Sequence, residues 1–267
     1  MKTLTWKWQW STPNGFPPLS FVALLLVILL VLGSTASMVE MNPIHIVRSV
    51  GKLLDFVRQL ISVPDWSYLP TLGMKLLQTV EMGFLSATLA LFFSLPLSIL
   101  AAHNTSPHPA ISHVIRNGLS LMRALPDMVW ALIFVSAVGL GPLPGVMALT
   151  CVTIGFMAKL FAESIEVVDG KAIEGITATG AGWLQRITFA TLPQAFPDLI
   201  GTVLYILDNN IRSATVLGLV GAGGIGYELV MSLRLFSYSQ LVMIMLAIYL
   251  AVTLLNRISN QLRSRII

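Results

Sequence analysis

Charged residues are scarce in this chain. Asp, Glu, Lys and Arg make up 10% of its 267 residues, and 55% are hydrophobic, whereas ordinary soluble domains carry roughly 25% charged residues. This deficit excludes an ordinary soluble domain and indicates that much of the chain contacts lipid. The small basic excess, 16 Lys and Arg against 12 Asp and Glu, is spread along the chain and forms no stripe that would bind nucleic acid.

Residues for disulfides, metals and catalysis are also few. The single cysteine, Cys151, excludes an intrachain disulfide framework, and its apolar surroundings in the sequence predict a small buried side chain. His103, His108 and His113 are five residues apart, which is not a metal-ligand spacing on a helix. No Ser/His/Asp order, Walker lysine or cysteine cluster stands out. The sequence therefore predicts no metal site and no catalytic residues in this chain.

Apolar sequence is abundant, and it is arranged in six runs. A helix needs roughly 17–25 residues to cross about 30 Å of hydrocarbon. The runs that meet or approach this length are 19–33 (extendable to 38), 76–102, 118–140, 143–160, 193–219 and 241–256. The sequence therefore predicts an all-α, polytopic membrane protein with about six transmembrane helices. A cleaved signal peptide is the alternative interpretation of the first run.

Residues 1–70 differ in character from the rest of the chain. A polar, proline-rich tail precedes the first apolar run, and apolar residues then recur at helical spacing from Val47 to Leu60 with charged residues between them. This pattern predicts an amphipathic helix on a membrane surface or against the bundle, ended by Pro64. We therefore expect two regions: 1–70, with the tail, first transmembrane helix and an amphipathic periplasmic segment, and 71–267, the transmembrane core.

The distribution of lysine and arginine predicts the orientation. Six crossings place both termini on one side, together with the loop at 102–117 and the polar segment at 161–192. These parts hold half of the basic residues, whereas the connection at 141–145 holds none. The positive-inside rule then places both termini in the cytoplasm. The basic residues within 39–72 run against this assignment, which depends on the other loops.

The polar segment between the fourth and fifth runs is the most informative part of the chain. It predicts a short helix over 172–178, a break at Gly180, and a second short helix over about 183–191 that ends near Pro193. Glycine adopts left-handed backbone conformations easily, and proline cannot continue a hydrogen-bonded helix without a kink. The first helix would lie along the membrane surface with Glu174 exposed to a soluble partner.

This segment resembles the cytoplasmic E-A-A…G…L-P loop of ABC-importer permeases. Glu174 and Gly180 fall on the family's Glu and Gly, Gly175 stands where the family has alanine, and Leu192-Pro193 matches the end of the motif. The downstream run from Leu204 to Gly226 resembles the phosphonate and phosphite branch of these permeases. The resemblance implies a type I ABC importer permease fold, with a coupling helix near 172–183. The residues it assigns to coupling with the ATPase are Glu174, Gly175, Thr179, Gly180, Trp183, Leu192 and Pro193.

The resemblance also implies partners and a location. We expect a homodimer of this chain in the bacterial inner membrane, two copies of a cytoplasmic ABC ATPase that holds ATP and Mg²⁺, and a periplasmic or lipid-anchored binding protein that delivers a phosphorus oxyanion. No cofactor and no nucleic acid is expected for this chain. The alternatives are a permease of the same superfamily for another small solute, an ATP-independent secondary transporter, and an intramembrane enzyme that uses Asp127 or Asp208.

Polar residues within the fifth run are the candidates for a translocation path or gate. A lone charge at the bilayer centre costs about 2.5–3.5 kcal/mol, and the i, i+4 spacing of Asp208 and Arg212 allows them to pair on a helix. Either they line a polar route, with Arg212 contacting an oxyanion, or they form a structural ion pair. The full candidate set is Asp208, Asn210, Arg212, Thr215, Gly221, Gly223 and Gly224.

Two further patterns have structural alternatives. The run from Gly221 to Gly226 satisfies G-x-G-x-x-G, but no strand precedes it, so irregular backbone at a gate, or a plain flexible turn, is favoured over a nucleotide site. Arg123 and Asp127 are also four residues apart, on either side of Pro126. They pose the same choice between a polar route and a structural pair. We expect structural pairing, and Asp127 near a helix start also complements the helix dipole.

Overall fold

The computed structural model describes residues 19–38, 43–61 and 63–266, and its regular elements within these ranges are all helical. Contacts between residues divide the chain into two units, Met1–Gln59 and Leu60–Ile267. In the first unit, α1 spans Leu19–Met38 and α2 begins at Pro43 and ends at Leu60. The amphipathic helix predicted from residue 47 is thus confirmed as a helix, and the tail at 1–18 lies outside the described residues.

The second unit contains the long helices. A 3-10 turn at Trp66–Tyr68 leads into the first of them. In chain order the helices are α3 (Leu69–Ala101), α4 (Pro109–Met122), α5 (Asp127–Val138), α6 (Pro142–Glu166), α7 (Gly170–Ala178), α8 (Trp183–Arg186), α9 (Leu192–Leu217), α10 (Gly224–Arg234) and α11 (Tyr238–Ile266).

Small residues allow the helices of the core to approach closely. A Cβ added at Gly83 of α3 would lie 2.8 Å from the backbone Cα of Ile211 on α9, and one added at Gly155 of α6 would lie 2.8 Å from the carbonyl oxygen of Leu119 on α4. Around these contacts the interior is filled by apolar side chains, of which Phe161 is completely buried. Such small-residue contacts are typical of helix packing in membranes, where no hydrophobic force drives helices together.

The outward surfaces of these helices are apolar. Phe84, Phe92 and Leu250, for example, are all at least 60% exposed, as expected for side chains that face lipid. Four helical segments are long and apolar enough to cross a membrane, and the bent pair α4–α5 makes five if it forms one span. The all-α, polytopic prediction is confirmed. Among the described residues, Phe21–Thr35 of α1 is a further, shorter apolar helix.

The third predicted span, 118–140, is wrong as a continuous helix. α4 ends at Met122, α5 begins at Asp127, and their axes meet at 81°. Pro126 has no N–H to donate and disfavours a helical conformation at the residue before it, and its own backbone is extended (φ −60°, ψ 151°). Arg123 and Asp127 consequently do not share a helix, and the predicted pairing between them is absent from the described ion pairs.

The helix predicted to end near Pro193 is also wrong at that end. After α8, a π-helical turn at Ile187–Thr191 continues without a break into α9. The N–H of Leu192 donates to the carbonyl of Ile187, five residues earlier. Pro193 then falls in the first turn of α9, where a missing N–H costs little. The short polar helix and the fifth span are therefore one helical element.

Candidate functional site

The short helix α7 forms an exposed element between two spans. Asp169 caps its first turn by accepting a hydrogen bond from the Lys171 N–H at 3.0 Å. The chain leaves the helix through Gly180, whose φ of +82° is in the left-handed region that favours glycine. Glu174 is exposed, whereas Ile173 and Ile176 are half-buried. The predicted surface helix, its break at Gly180 and the exposure of Glu174 are all present.

The other coupling candidates lie around α7. Gly175 is exposed, and a Cβ added there would meet nothing within 4 Å, so the alanine of the family motif would fit. Thr179 closes the end of the helix by donating its hydroxyl to the Ile176 carbonyl at 2.7 Å. Leu192 and Pro193 lie in the first turn of α9. Their roles in contact with an ATPase stay predictions.

Two hydrogen bonds tie this segment to the spans. The indole N–H of Trp183 donates to the carbonyl oxygen of Thr105, in the loop between α3 and α4, at 2.7 Å. The side-chain oxygen of Gln194 on α9 accepts from the Asp169 N–H at 3.1 Å. The segment that contains α7 and α8 is therefore joined both to α9 and to the α3–α4 loop. Sequence reasoning did not identify Gln194 or Thr105, since nothing local marks a contact across 25 or 78 residues.

The polar residues of the fifth span divide between different faces of α9. Asn210, 3% exposed, lies in a buried network: its amide oxygen accepts from the Thr153 hydroxyl of α6 at 3.0 Å, and its amide nitrogen donates to the Ser86 hydroxyl of α3 at 3.1 Å. Thr215 donates its hydroxyl to the Arg212 carbonyl within the same helix. Asn210 therefore joins three spans, whereas the hydroxyl of Thr215 is hydrogen-bonded within its own helix.

Asp208 and Arg212 form an ion pair on another face of α9. The Nη2 of Arg212 donates to Asp208 Oδ2 at 2.8 Å, as their spacing predicts. Asn256 of α11 lies beside the same carboxylate, and with its amide nitrogen turned toward Asp208 it donates to Oδ1 at 2.6 Å. The pair thus has a third member from the last span. This geometry favours the structural interpretation of Arg212, because its charge is already compensated.

Removing one charge of this pair should destabilise the protein more than removing both. Arg212→Gln leaves the Asp208 carboxylate without its cation, whereas Asp208→Asn with Arg212→Gln leaves two neutral groups that can hydrogen-bond. We expect a coupling of about 0.5–3 kcal/mol between the two sites, measured by thermal unfolding of wild type, both single variants and the double variant in one detergent. Strictly additive effects would contradict the structural pairing.

The glycine-rich segment after α9 is ordered by contacts with other helices. Gly221, Gly223 and Gly224 have φ values of +85°, +80° and +71°, and the Gly221 carbonyl accepts from the Gly141 N–H between α5 and α6 at 3.1 Å. The Ile225 N–H donates to the Thr79 hydroxyl of α3 at 2.9 Å. Helices precede and follow the segment, so the nucleotide interpretation lacks its strand. Irregular backbone packed among helices is what the structure contains; its role as a gate stays a prediction.

Gly218 and Gly226, which were not among the candidate site residues, pack closely against backbone. A Cβ added at Gly226 would lie 2.0 Å from the Thr215 carbonyl oxygen, and one added at Gly218 would lie 2.3 Å from the Tyr227 nitrogen. Close packing of the start of α10 against the end of α9 therefore requires glycine at both positions.

A cavity of about 420 Å³ lies where the α4–α5 bend meets α6 and α9. Its polar lining consists of Arg123, Asp127, Thr153, Tyr205, Asn209 and Asn210. Neither member of the Asp208–Arg212 pair lines it. The sequence favoured a structural ion pair for Arg123 and Asp127 over a polar route, since the bend that opens the cavity was not predicted.

Comparison with known proteins identifies the family. A family model described as the binding-protein-dependent transport system inner membrane component matches residues 94–266. The chain is 40% identical over 190 residues to the phosphate-import permease protein PhnE of Mycolicibacterium smegmatis, which covers 71% of this chain but only 36% of that protein. It is 41% identical over 200 residues to the phosphite transport system permease protein PtxC of Stutzerimonas stutzeri, covering 75% of this chain and 73% of that one.

The fold has counterparts among solved structures. An inward-facing MetNI methionine ABC transporter chain superposes with a TM-score of 0.65 at 19% identity, over 76% of this chain and 99% of that chain. An amino acid ABC transporter chain superposes with a TM-score of 0.62 at 17% identity. The predicted type I ABC importer permease fold is thereby confirmed, and the similar sequences are transport components rather than enzymes. This chain belongs to the family of binding-protein-dependent transport system inner membrane components.

Proposed function

We propose that this chain is the membrane-spanning permease subunit of an ATP-driven importer for phosphonate, phosphite or a similar phosphorus oxyanion. The observation that carries the coupling role is α7, a short helix with Glu174 exposed. Its cap residue Asp169 is hydrogen-bonded to Gln194 of α9, and Trp183 of the following helix α8 is hydrogen-bonded to the α3–α4 loop. The substrate class rests on the similarity to permeases named for phosphite and phosphate import.

The proposed assembly contains two copies of this chain and two copies of a cytoplasmic ABC ATPase, which binds ATP and Mg²⁺. A periplasmic or lipid-anchored protein delivers the oxyanion from outside. Both termini and α7 face the cytoplasm in this arrangement, in keeping with the basic residues Lys171 and Arg186 beside α7. Glu174, Gly175, Thr179 and Gly180 then form the surface that enters a cleft of the ATPase.

The mechanism follows from the way the helices are joined. Closure of the ATPases displaces α7, and the hydrogen bonds that Trp183 donates and Gln194 accepts transmit this displacement to the spans. The Asn210 network links α9 to α3 and α6, so these three spans move as one body. At the other end of α9, the glycine-rich segment contacts Thr79 of α3 and Gly141, and its rearrangement opens the path.

Transport by the reconstituted complex tests this function. The complete importer, in proteoliposomes with its binding protein, should take up radiolabelled phosphite or methylphosphonate when ATP and Mg²⁺ are present inside the compartment that holds the ATPase. A non-hydrolysable ATP analogue serves as the control and should support no net uptake. Uptake that needs no ATP and follows an imposed ion gradient would overturn the proposal in favour of a secondary transporter.

A further inference from the structure

The cavity at the α4–α5 bend lies near the middle of two spans. Thr153 is near the centre of α6, Pro142–Glu166, and Tyr205 is near the centre of α9, Leu192–Leu217. Irregular backbone at such depth is tolerated where it lines a cavity or is covered by protein, and the 81° bend between α4 and α5 fits this condition. A polar cavity near the middle of the spans suits temporary binding of a transported solute.

Arg123 brings an uncompensated positive charge to this cavity. Its Nε is buried without a hydrogen-bond partner, and it forms no ion pair with a carboxylate of the described residues. By contrast, Arg116 of α4 pairs with Glu166, and Arg212 of α9 pairs with Asp208. The Arg123 side chain is half-buried, but its Nε is a buried polar atom without a partner, and leaving such an atom unpaired is costly. An acceptor supplied by a bound anion would remove this cost.

The position of the guanidinium is fixed by its aliphatic stem. A Cβ added at Gly155 of α6 would lie 2.9 Å from the Cγ of Arg123, so the stem packs closely against this glycine. The backbone of Arg123 caps the end of α4. Because stem and backbone are both held, the planar fork of N–H donors is directed by the protein fold rather than by an internal partner.

The remaining lining suits an oxyanion that is held weakly. Asn209 and Tyr205 add polar side chains beside Arg123, whereas Asp127 adds a carboxylate. Asp127 lies in the first turn of α5, where the helix dipole compensates its negative charge. Its presence still lowers the positive potential of the cavity, which prevents Arg123 from trapping the anion. Transport needs such reversible binding.

We infer that Arg123 is the residue that contacts the phosphorus oxyanion inside the membrane, in the cavity formed by the α4–α5 bend, α6 and α9. This inference rests on the proposed function and replaces Arg212, whose charge is compensated by Asp208, as the anion-contacting arginine. The guanidinium offers paired N–H donors to two oxygens of the anion, a geometry that lysine does not reproduce.

Uptake of radiolabelled phosphite by the complete importer tests the inference. Hydrogen bonds to charged groups contribute about 1.5–3 kcal/mol, which converts to a roughly 10- to 100-fold lower uptake rate for Arg123→Gln. Arg123→Lys keeps the charge and most of the aliphatic stem. Its uptake rate should be about three- to tenfold lower than that of wild type, because lysine lacks the paired N–H donors of the guanidinium. Recovery of the complex and its melting temperature in detergent should stay at the wild-type level in both variants, which a purely structural role would not allow.

Lys159→Gln is the matched control, since it removes a cation of α6 that lies outside the cavity and is 44% exposed. Its uptake should stay within about twofold of wild type. An Arg123→Gln complex that is recovered normally and transports within twofold of wild type overturns the inference. If the Arg123→Gln variant does not fold, the uptake rate of Arg123→Lys is used instead, and a rate within twofold of wild type overturns the inference. A wild type without ATP-driven oxyanion uptake instead overturns the proposed function, and this inference with it.

Discussion

Glu174→Arg should abolish ATP-driven uptake and release the ATPase from the purified complex. Glu174 is exposed on α7 and makes no hydrogen bond or ion pair within the described residues, so its replacement leaves the folded permease intact. In the proposed interface, the new cation faces groups selected for a carboxylate. Loss of one partner of a buried interfacial charge pair costs about 2–5 kcal/mol, and reversal of the charge adds repulsion. An affinity loss of at least 30-fold follows.

Co-purification measures this effect directly. The tagged chain is extracted in mild detergent, and the ATPase recovered per permease is compared between wild type and variant. Asp55→Arg is the control: it reverses an exposed carboxylate of α2, away from α7 in the sequence, and should leave ATPase recovery unchanged. Equal recovery of the ATPase with Glu174→Arg would refute the assignment of α7 as the coupling helix.

Gly226→Ala should lower the thermal stability of the permease strongly and stop transport. The added Cβ would lie 2.0 Å from the carbonyl oxygen of Thr215, and backbone cannot rotate away as a side chain can. Overpacking typically costs about 1–3 kcal/mol, and a clash between two backbones belongs at the upper end of this range. The start of α10 must move away from α9, which also displaces the glycine-rich segment from Thr79.

Thermal unfolding in detergent, followed by size-exclusion chromatography, tests this prediction. Gly73→Ala is the matched control, because it lies within α3 and its Cβ would meet nothing within 4 Å. There the substitution should leave the melting temperature unchanged or raise it slightly, since alanine is favoured in a helix by about 0.5–1 kcal/mol. If Gly226→Ala melts at the temperature of the control, the close packing of α9 and α10 is wrong.

Local patterns were sufficient to predict much of the fold. Hydropathy located the long helices, because lipid exposure makes their outer faces apolar whatever they pack against. The positive φ of Gly180 and the pairing of Asp208 with Arg212 follow from residue type and from spacing on one helix. These features depend on neighbours within about one helical turn.

Features that depend on distant residues were not predictable in this way. Asn256 reaches Asp208 across 48 residues, and no local pattern marks it. Pro126 in an apolar run is compatible with a kink or with a break, and only packing against α6 and α9 decides between them. The cavity could not be predicted from the sequence, because Arg123 and Asp127 were placed on one continuous helix and the bend that opens the cavity was missed.

The π-helical turn at Ile187–Thr191 determines how the residues of α8 are rotated about the helix axis relative to those of α9. A π turn holds one more residue than an α-helical turn, and one residue on an α-helix corresponds to a rotation of about 100°. Were this turn regular, Trp183 would point to a different side of α9 and would miss the Thr105 carbonyl that it now contacts. The extra residue of this turn thus sets the angular offset between α8, which carries Trp183, and α9.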